Sequence, residues 1–349
     1  MGSAIGWLFA AVSILLAPAL EAAPPEGVAV GAGYRAEVFA TGVTDPIDLA
    51  PASASSLVVL DSGGPTGVGH VLYRLPIGPR GAPAADARAQ PRVVVPIGPQ
   101  GLPYPAGSIA VHPRSDLVFL SEFGGKRLYR LGPDGRLTLY AAGFWMLPRG
   151  AIRFDADGRL LVLDFPGQRG VPAEPDPYAE ERGWFDAGEP TEGSVLYRVD
   201  VEEALPLPRR VEYWRPSLRL GVRSLGRTPS PDLQSGIAVA PRGDLFLTLL
   251  MGIFRIVEGR PVRLSELIGG RSPTACRDGE FFVYTGHRVG ALQDPFGGRI
   301  VRVEEGKALT EVVGRLGSTQ GLACDEGGSL FVADGARHRI LRVFRSAAR

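Results

Sequence analysis

With 349 residues, 38 basic against 37 acidic side chains and a net charge of +1, the chain carries no electrostatic footprint for nucleic acid. Its length allows a large core, in two ordinary domains or one large all-β domain. Asn is absent, which excludes N-glycosylation and any ligand set that needs an Asn side chain.

Residues 1–23, "MGSAIGWLFAAVSILLAPALEAA", read as an export signal, with an apolar run from Ala4 to Leu20 and "APA" at 17–19 as a cleavage site. The run is short for a stable span, and an uncleaved anchor is the alternative. The expectation is a monomer in the periplasm or secreted, with no membrane association beyond this segment.

From residue 34 onward one pattern recurs six times. Its landmarks are "VLYRL" at 71–75, "RLYRL" at 127–131, "VLYRV" at 195–199, "IFRI" at 253–256, "RIVRV" at 299–303 and "RILRV" at 339–343. Each carries an Arg before its last aliphatic residue: Arg74, Arg130, Arg198, Arg255, Arg302 and Arg342. Each follows a second apolar strand, such as "LVVLD", "LVFLSE" or "LFVAD", and before most of those lies a third, as in "SIAVHP", "GIAVAP" and "GLACDE". Turn sequences such as "DADG", "PRGD" and "DEGG" separate the two. A fourth strand ends each unit, for example "RLTLYAAG" at 136–143. Four short antiparallel strands repeated about every 50 residues predict the blades of an all-β six-bladed β-propeller, a single domain over 34–349. The segment begins with a fourth strand that has no blade before it, "YRAEVFATG", and ends with a blade lacking its fourth strand. Pairing residues 35–40 with 339–344 would close the ring and protect both edges.

In such a blade, the links from strand two to three and from blade to blade share one mouth. The long links are there: 165–194, 215–235 and 286–298. Insertions gathered on one face point to binding. The first carries seven acidic residues against two Arg, with Tyr178, Trp184 and Phe185. It could serve as a lid, a calcium-ordered loop or a partner site. The same mouth collects Asp45, Asp61, Glu122, Asp164, His287 and Asp334 at strand ends, with His70 and His338 before third strands. Tyr104, Arg149 and Gln320 lie in links leading into blades two, three and six. Each Asp could equally cap its turn, and the two His could be turn residues. Asp48 and Arg153 stand where other inner strands carry Ala, so each buried charge needs a partner, across the channel or in an ion pair. Cys276 and Cys324 hold one position in the inner strands of blades five and six. Packed sheets stand about 10 Å apart, beyond disulfide reach, so the two are expected to be small buried apolar residues.

The segments "GIAV…GDLFLT" and "LACDEGGSLFVADGARHRILRV" resemble the six-bladed propellers of the NHL and gluconolactonase-like superfamily. That resemblance implies a divalent cation in the channel, held by carboxylate and Asn side chains at inner-strand starts. Those starts are Asp45, Gly107, Gly150, Ser235, Ser272 and Gln320. "GYRAEVFATG" is similar to the opening of secreted sugar and sorbosone dehydrogenases that use pyrroloquinoline quinone, which implies a catalytic His near the position of Tyr104. "SPTACRDGEFFVYTGHRVGALQDPFGGRIVRV" resembles exported propellers of scytonemin pathways, which implies fold and export.

Three functions follow as expectations, all with a small-molecule ligand at the decorated mouth. In a lactonase- or esterase-like hydrolase, Asp45, Glu122 and Asp164 would hold calcium or a similar cation, and His287 and Asp334 would serve the reacting water. Tyr104, Arg149, Trp184 and Gln320 would contact substrate. A non-catalytic binding propeller would use the long loops, and a quinone-dependent sugar dehydrogenase is the third reading.

Overall fold

A computed structural model describes residues 25–53, 55–63, 69–81, 91–95, 102, 105–123, 125–144, 147–164, 194–202, 207–210, 216–220, 236–249, 252–267, 270–276, 279–286, 297–317 and 321–346. Their strands form six antiparallel sheets, one per predicted repeat. Blade one consists of Pro46–Ser53, Ser56–Asp61, His70–Pro76 and Pro91–Val95. Blade two is Ala106–Val111, Val118–Glu122, Arg127–Leu131 and Leu137–Ala142. Blade three is Ile152–Phe154, Leu160–Asp164, Ser194–Val199 and Pro216–Leu220. Blade four is Gly236–Val239, Leu245–Leu249, Gly252–Val257 and Arg260–Ser265. Blade five is Gly270–Ala275, Phe281–Thr285, Gly298–Val303 and Thr310–Leu316.

Blade six takes Leu322–Cys324, Leu330–Asp334 and Arg339–Arg345 from one end of the domain and Tyr34–Thr41 from the other. The two end strands run antiparallel from Tyr34 opposite Arg345 to Thr41 opposite Arg339, as predicted. The ring is therefore closed by backbone hydrogen bonds rather than by side-chain packing alone. Two blades gain a short fifth strand that the repeat did not announce. Ala29–Val30 adds to the outer edge of blade five, and Arg209–Arg210 runs parallel to that of blade two.

The second strands are near-continuous apolar runs buried along their length, because the propeller covers both faces of each sheet. Each neighbouring pair of blades shares its own buried cluster, so six clusters stand in a ring. Phe119, Phe281 and Phe331 on second strands are essentially inaccessible. Burial on this scale stabilises by about 1.5–3 kcal/mol per large side chain.

The recurring Arg has a structural explanation. It always stands opposite the same second-strand position: Val58, Phe119, Leu161, Phe246, Phe282 or Phe331. From there Arg74, Arg198, Arg255, Arg302 and Arg342 reach the plain mouth and hold turns there. Arg255 donates to Asp244 (2.7 Å), Arg302 to Glu280 (2.9 Å), Arg342 to Ser329 (3.0 Å), and Arg198 pairs with Asp155. Arg74 reaches across to Asp116 of blade two at 2.6 Å.

The cysteines correct the sequence reading. Cys276 and Cys324 form a disulfide, with Cα atoms 5.3 Å apart. The 10 Å sheet spacing describes packed faces. At the axis the inner edges of adjacent blades converge, and there the two cysteines meet. The bond encloses 48 residues of separation and stitches blade five to blade six near the plain mouth. Replacing both cysteines by alanine is expected to lower the unfolding free energy by up to about 4 kcal/mol, the chain-entropy value for a loop of this length. Urea denaturation followed by circular dichroism measures it. Equal midpoints for variant and wild type would show that the bond does not restrict the unfolded chain.

Candidate functional site

The inner strands start at the decorated mouth, and their first residues bring opposite charges together at the axis. Asp48, 1% exposed, lies at the centre. Its Oδ2 accepts from the amide of Ile109 (2.9 Å), Ser108 Oγ (3.1 Å) and Arg153 Nη1 (3.2 Å); Oδ1 accepts from Arg153 Nη2 (3.1 Å) and the amide of Leu49 (2.9 Å). Arg153 Nη1 also donates to the carbonyls of Ile152 (2.8 Å) and Ile109 (3.1 Å). Inner strands of blades one, two and three are thus tied at one ion pair. Blade six presses on it too, since a Cβ on Gly321 would lie 2.7 Å from the Cα of Asp48. Of the two expectations for these charges, the ion pair is what forms.

Above this knot lies Arg149, in the link into blade three. Its guanidinium stacks over Phe123 at 4.3 Å. Burial first, then repulsion from Arg271, lowers its pKa to about 10, although Asp45 and Asp48 pull it upward. Arg149 Nη1 is buried with no hydrogen-bond partner among the described residues. Asp45 is half-buried and accepts from Ser62 Oγ through Oδ2 at 2.7 Å.

The other acidic candidates are held by their own blades. Asp61 is inaccessible and caps the amides of Thr44, Asp45 and Gly63. Glu122, also inaccessible, accepts from Tyr129 Oη at 3.0 Å and the amide of Lys126 at 3.2 Å, with Arg127 at 3.9 Å. The charge of Glu122 adds to burial in pushing the Tyr129 phenol far above its ordinary range. Asp334 pairs with Arg339 (2.9 Å) and Arg337 (3.5 Å), whose guanidinia also bind the carbonyls of Glu26 and Gly27. It anchors the segment leading into the ring-closing strand. Asp164 is 2% exposed at the end of its strand. Among the described residues no three His, Cys, Asp or Glu side chains come together as a metal set. The proposed trio of Asp45, Glu122 and Asp164 is therefore not assembled as one. Tyr104, Trp184, His287 and Gln320 lie outside the described residues.

His70 and His338 do matching structural work. His70 Nδ1 donates to the carbonyl of Asp61 (3.2 Å) while Nε2 accepts from the amide of Ala106 in blade two (2.7 Å). His338 Nδ1 donates to the carbonyl of Thr44, just before blade one. Each ring thus bridges to the next blade.

Sequence reasoning did not single out Arg271. Ser272 and Pro273 form a bulge between Arg271, opposite Tyr284, and Thr274, opposite Phe282. The available signal was Pro inside an inner strand, which marks a bulge.

Two predictions follow from this geometry. Arg153→Met should cost about 3–5 kcal/mol because it leaves the Asp48 carboxylate buried and unpaired. Arg153→Met combined with Asp48→Leu should cost less than either change alone, and a double-mutant cycle by chemical denaturation measures the coupling. Additive losses would refute it. For His70, burial lowers the pKa, outweighing the Asp61 carbonyl bond and the Asp61 and Asp45 charges. A proton on Nε2 would also break the Ala106 bond. The unfolded chain binds this proton more tightly, so stability is full above the ordinary value of about 6.5 and declines as pH falls below it toward the folded value. Urea midpoints between pH 7.5 and 5 should show a decline that is shallower in His70→Gln; identical profiles would contradict the assignment.

No family model matches the chain, and no curated protein matches it in sequence. Solved structures do share its fold. A gluconolactonase from Xanthomonas campestris is 14% identical with a TM-score of 0.54, over 91% of both chains. The calcium structure of a Trichoderma reesei carbohydrate-active enzyme of family AA12 is 12% identical with a TM-score of 0.54, over 92% of this chain and 97% of that one. The quinone-bound aldose sugar dehydrogenase of Streptomyces coelicolor is 15% identical with a TM-score of 0.52, over 90% of this chain and 99% of that one. At these identities the likeness is one of fold: the chain is a six-bladed β-propeller, an architecture it shares with the gluconolactonase and the quinone-bound aldose sugar dehydrogenase.

Proposed function

We propose that this propeller binds a small polar molecule over the axis at its decorated mouth, outside the cytoplasm. The carrying observation is the division of charge between the two mouths. On the plain side the repeated arginines are spent on turns. On the decorated side Asp45 and Arg149 stand partly open beside the axis, and a buried N–H of Arg149 has no partner among the described residues. Polar groups converging on a concave axial site are what a small ligand requires. The disulfide supports an oxidising compartment. No described helix is long and apolar enough to cross a membrane.

The fold neighbours include a calcium-containing and a quinone-bound propeller. The described residues do not fit a divalent cation, because Asp61, Glu122 and Asp334 are committed to backbone amides, a phenol or ion pairs and no three His, Cys, Asp or Glu side chains gather. Tyr104, where the dehydrogenase resemblance implies a His, lies outside the described residues.

The reading is tested by titrating purified protein with neutral sugars, sugar acids, lactones and esters while following thermal unfolding and turnover, with and without chelator. A saturable rise in Tm without turnover is the expected result. Lactone hydrolysis abolished by chelator would replace it with a metal-assisted hydrolase, and neither binding nor turnover across the panel would end it.

A further inference from the structure

We infer that Ser115, on the plain mouth, is an activated nucleophile that takes the acyl group of a small reactive ester, with His112 as its base and Glu202 positioning the imidazole. This site stands apart from the decorated mouth, and neither reading depends on the other.

The three residues come from two blades. His112 and Ser115 lie in the link between the first two strands of blade two, and Glu202 in the link after Ser194–Val199 of blade three. Backbone bonds already close the blade-two link: the His112 amide donates to the Leu117 carbonyl (2.8 Å) and the Asp116 amide to that of His112 (3.1 Å). Arg74 of blade one holds the same turn through Asp116. The side chains add something the turn does not need. The Ser115 amide donates to His112 Nδ1 at 3.0 Å, and Ser115 Oγ lies 2.7 Å from the same nitrogen. An amide can only donate, so Nδ1 carries the lone pair and the neutral ring keeps its proton on Nε2. In that tautomer the basic nitrogen faces the hydroxyl, as an activated serine requires.

The far side of the ring is arranged to answer a positive charge. The imidazole is inaccessible and meets Phe154 edge to face, with ring centroids 5.0 Å apart. Its Nε2 has no hydrogen-bond partner among the described residues. Glu202 Oε1 stands 3.7 Å from it. Arg114 Nη2 donates to the other oxygen of Glu202 (3.3 Å) and to the Asp157 carbonyl (3.4 Å), which fixes the carboxylate beside the ring. Gly158 leaves the space for this meeting, since a Cβ there would stand 3.1 Å from both His112 Nε2 and Arg114 Nη2. A histidine kept for packing alone loses stability by leaving a buried N–H unmet. One that becomes an imidazolium during a reaction gains from the adjacent carboxylate.

In the step, Ser115 Oγ bonds to the acyl carbon of the ester while its proton passes to His112 Nδ1. The tetrahedral intermediate then expels the leaving group by breaking the bond from the acyl carbon to oxygen or sulfur. The proton departs from Nδ1 with that group, or to water where the group leaves as a stable anion. While Nδ1 holds the proton it cannot accept from the Ser115 amide, which is then free to donate to the oxyanion. Ser115 is exposed on a turn, so the acyl donor must supply its own reactivity. The donor class is therefore a short-chain aryl ester or thioester.

The test uses 4-nitrophenyl acetate with wild type, Ser115→Ala, His112→Gln and Glu202→Gln, each first checked for fold by circular dichroism and Tm. Wild type should release about one equivalent of nitrophenolate in a burst, insensitive to chelator, and peptide mass mapping should place the acetyl group on Ser115. Ser115→Ala should lose the burst. His112→Gln should acetylate Ser115 about 10²- to 10⁴-fold more slowly, the range for losing a general base. Glu202→Gln should slow the burst by up to about fivefold, the scale of a half-exposed ion pair. It should also move the acid-side fall in rate to lower pH, because the imidazolium loses its counter-charge; a role in packing alone would leave that profile unmoved. An unmodified Ser115 in wild type would overturn the inference. Acetylation of Ser115 at equal rates in wild type and His112→Gln would also overturn it, by marking an ordinary exposed hydroxyl. An unchanged pH profile in Glu202→Gln would remove the part assigned to Glu202.

Discussion

The backbone pairing of Tyr34–Thr41 with Arg339–Arg345 is the constraint on which the rest of the structure depends. A propeller blade presents unpaired amides and carbonyls at its outer edge, and an open ring would expose blade-sized apolar faces at both ends. Joining strands from opposite ends of the domain turns a row of sheets into a circle. Residues from opposite ends of the chain then meet at the axis, where Gly321 of blade six packs against the backbone of Asp48 in blade one. The closure has its own fastenings. Arg342 binds Glu37 at 2.8 Å, and Glu280 of blade five accepts from Arg345 at the end of the closing strand pair. Burial would raise the Glu280 pKa, but hydrogen bonds from Arg345 and Arg302 hold it below the usual carboxylate range.

Charge is used differently at the two ends of the axis. On the plain side Arg74, Arg198, Arg255, Arg302 and Arg342 hold turns of their own blade or its neighbour, and the disulfide stitches blades five and six. These are local devices, one per blade or blade pair, and they keep the turns in register. On the decorated side the Asp48–Arg153 pair joins three inner strands at once, so it couples blades rather than turns. That buried pair forms a polar floor, and the half-open charges of Asp45, Arg149 and Arg271 stand above it.

Much of this architecture was legible in the sequence because blades are local. Period-two apolar strands, turn residues and the recurring Arg all act within about 50 residues of chain, and they specify strand order without tertiary information. The closing strand was legible by counting what was left over. What failed to read through was distance across the axis. Cys276 and Cys324 read as unbonded residues in the sequence because a spacing proper to sheet faces does not hold where the inner edges taper together. Glu122 and Asp334 were legible as carboxylates at the correct mouth, but a sequence does not say whether such a group faces the hole or turns back onto Tyr129 or Arg339. Arg271 escaped notice because its orientation depends on a two-residue bulge and on Gly236 one blade away.

The local rules broken at this mouth point the same way. Within one small region a serine adopts left-handed backbone, a proline interrupts an inner strand, and a buried guanidinium lies near a second cation with one N–H unmet among the described residues. A sequence selected for folding alone would relieve such conflicts, since replacing a buried polar group by an apolar one of similar shape is often neutral or stabilising. At the opposite mouth Arg198, Arg255 and Arg302 each pair with a carboxylate. At the axis Arg149 lies over Phe123 and keeps one N–H without a partner among the described residues, where a polar ligand would gain a hydrogen bond.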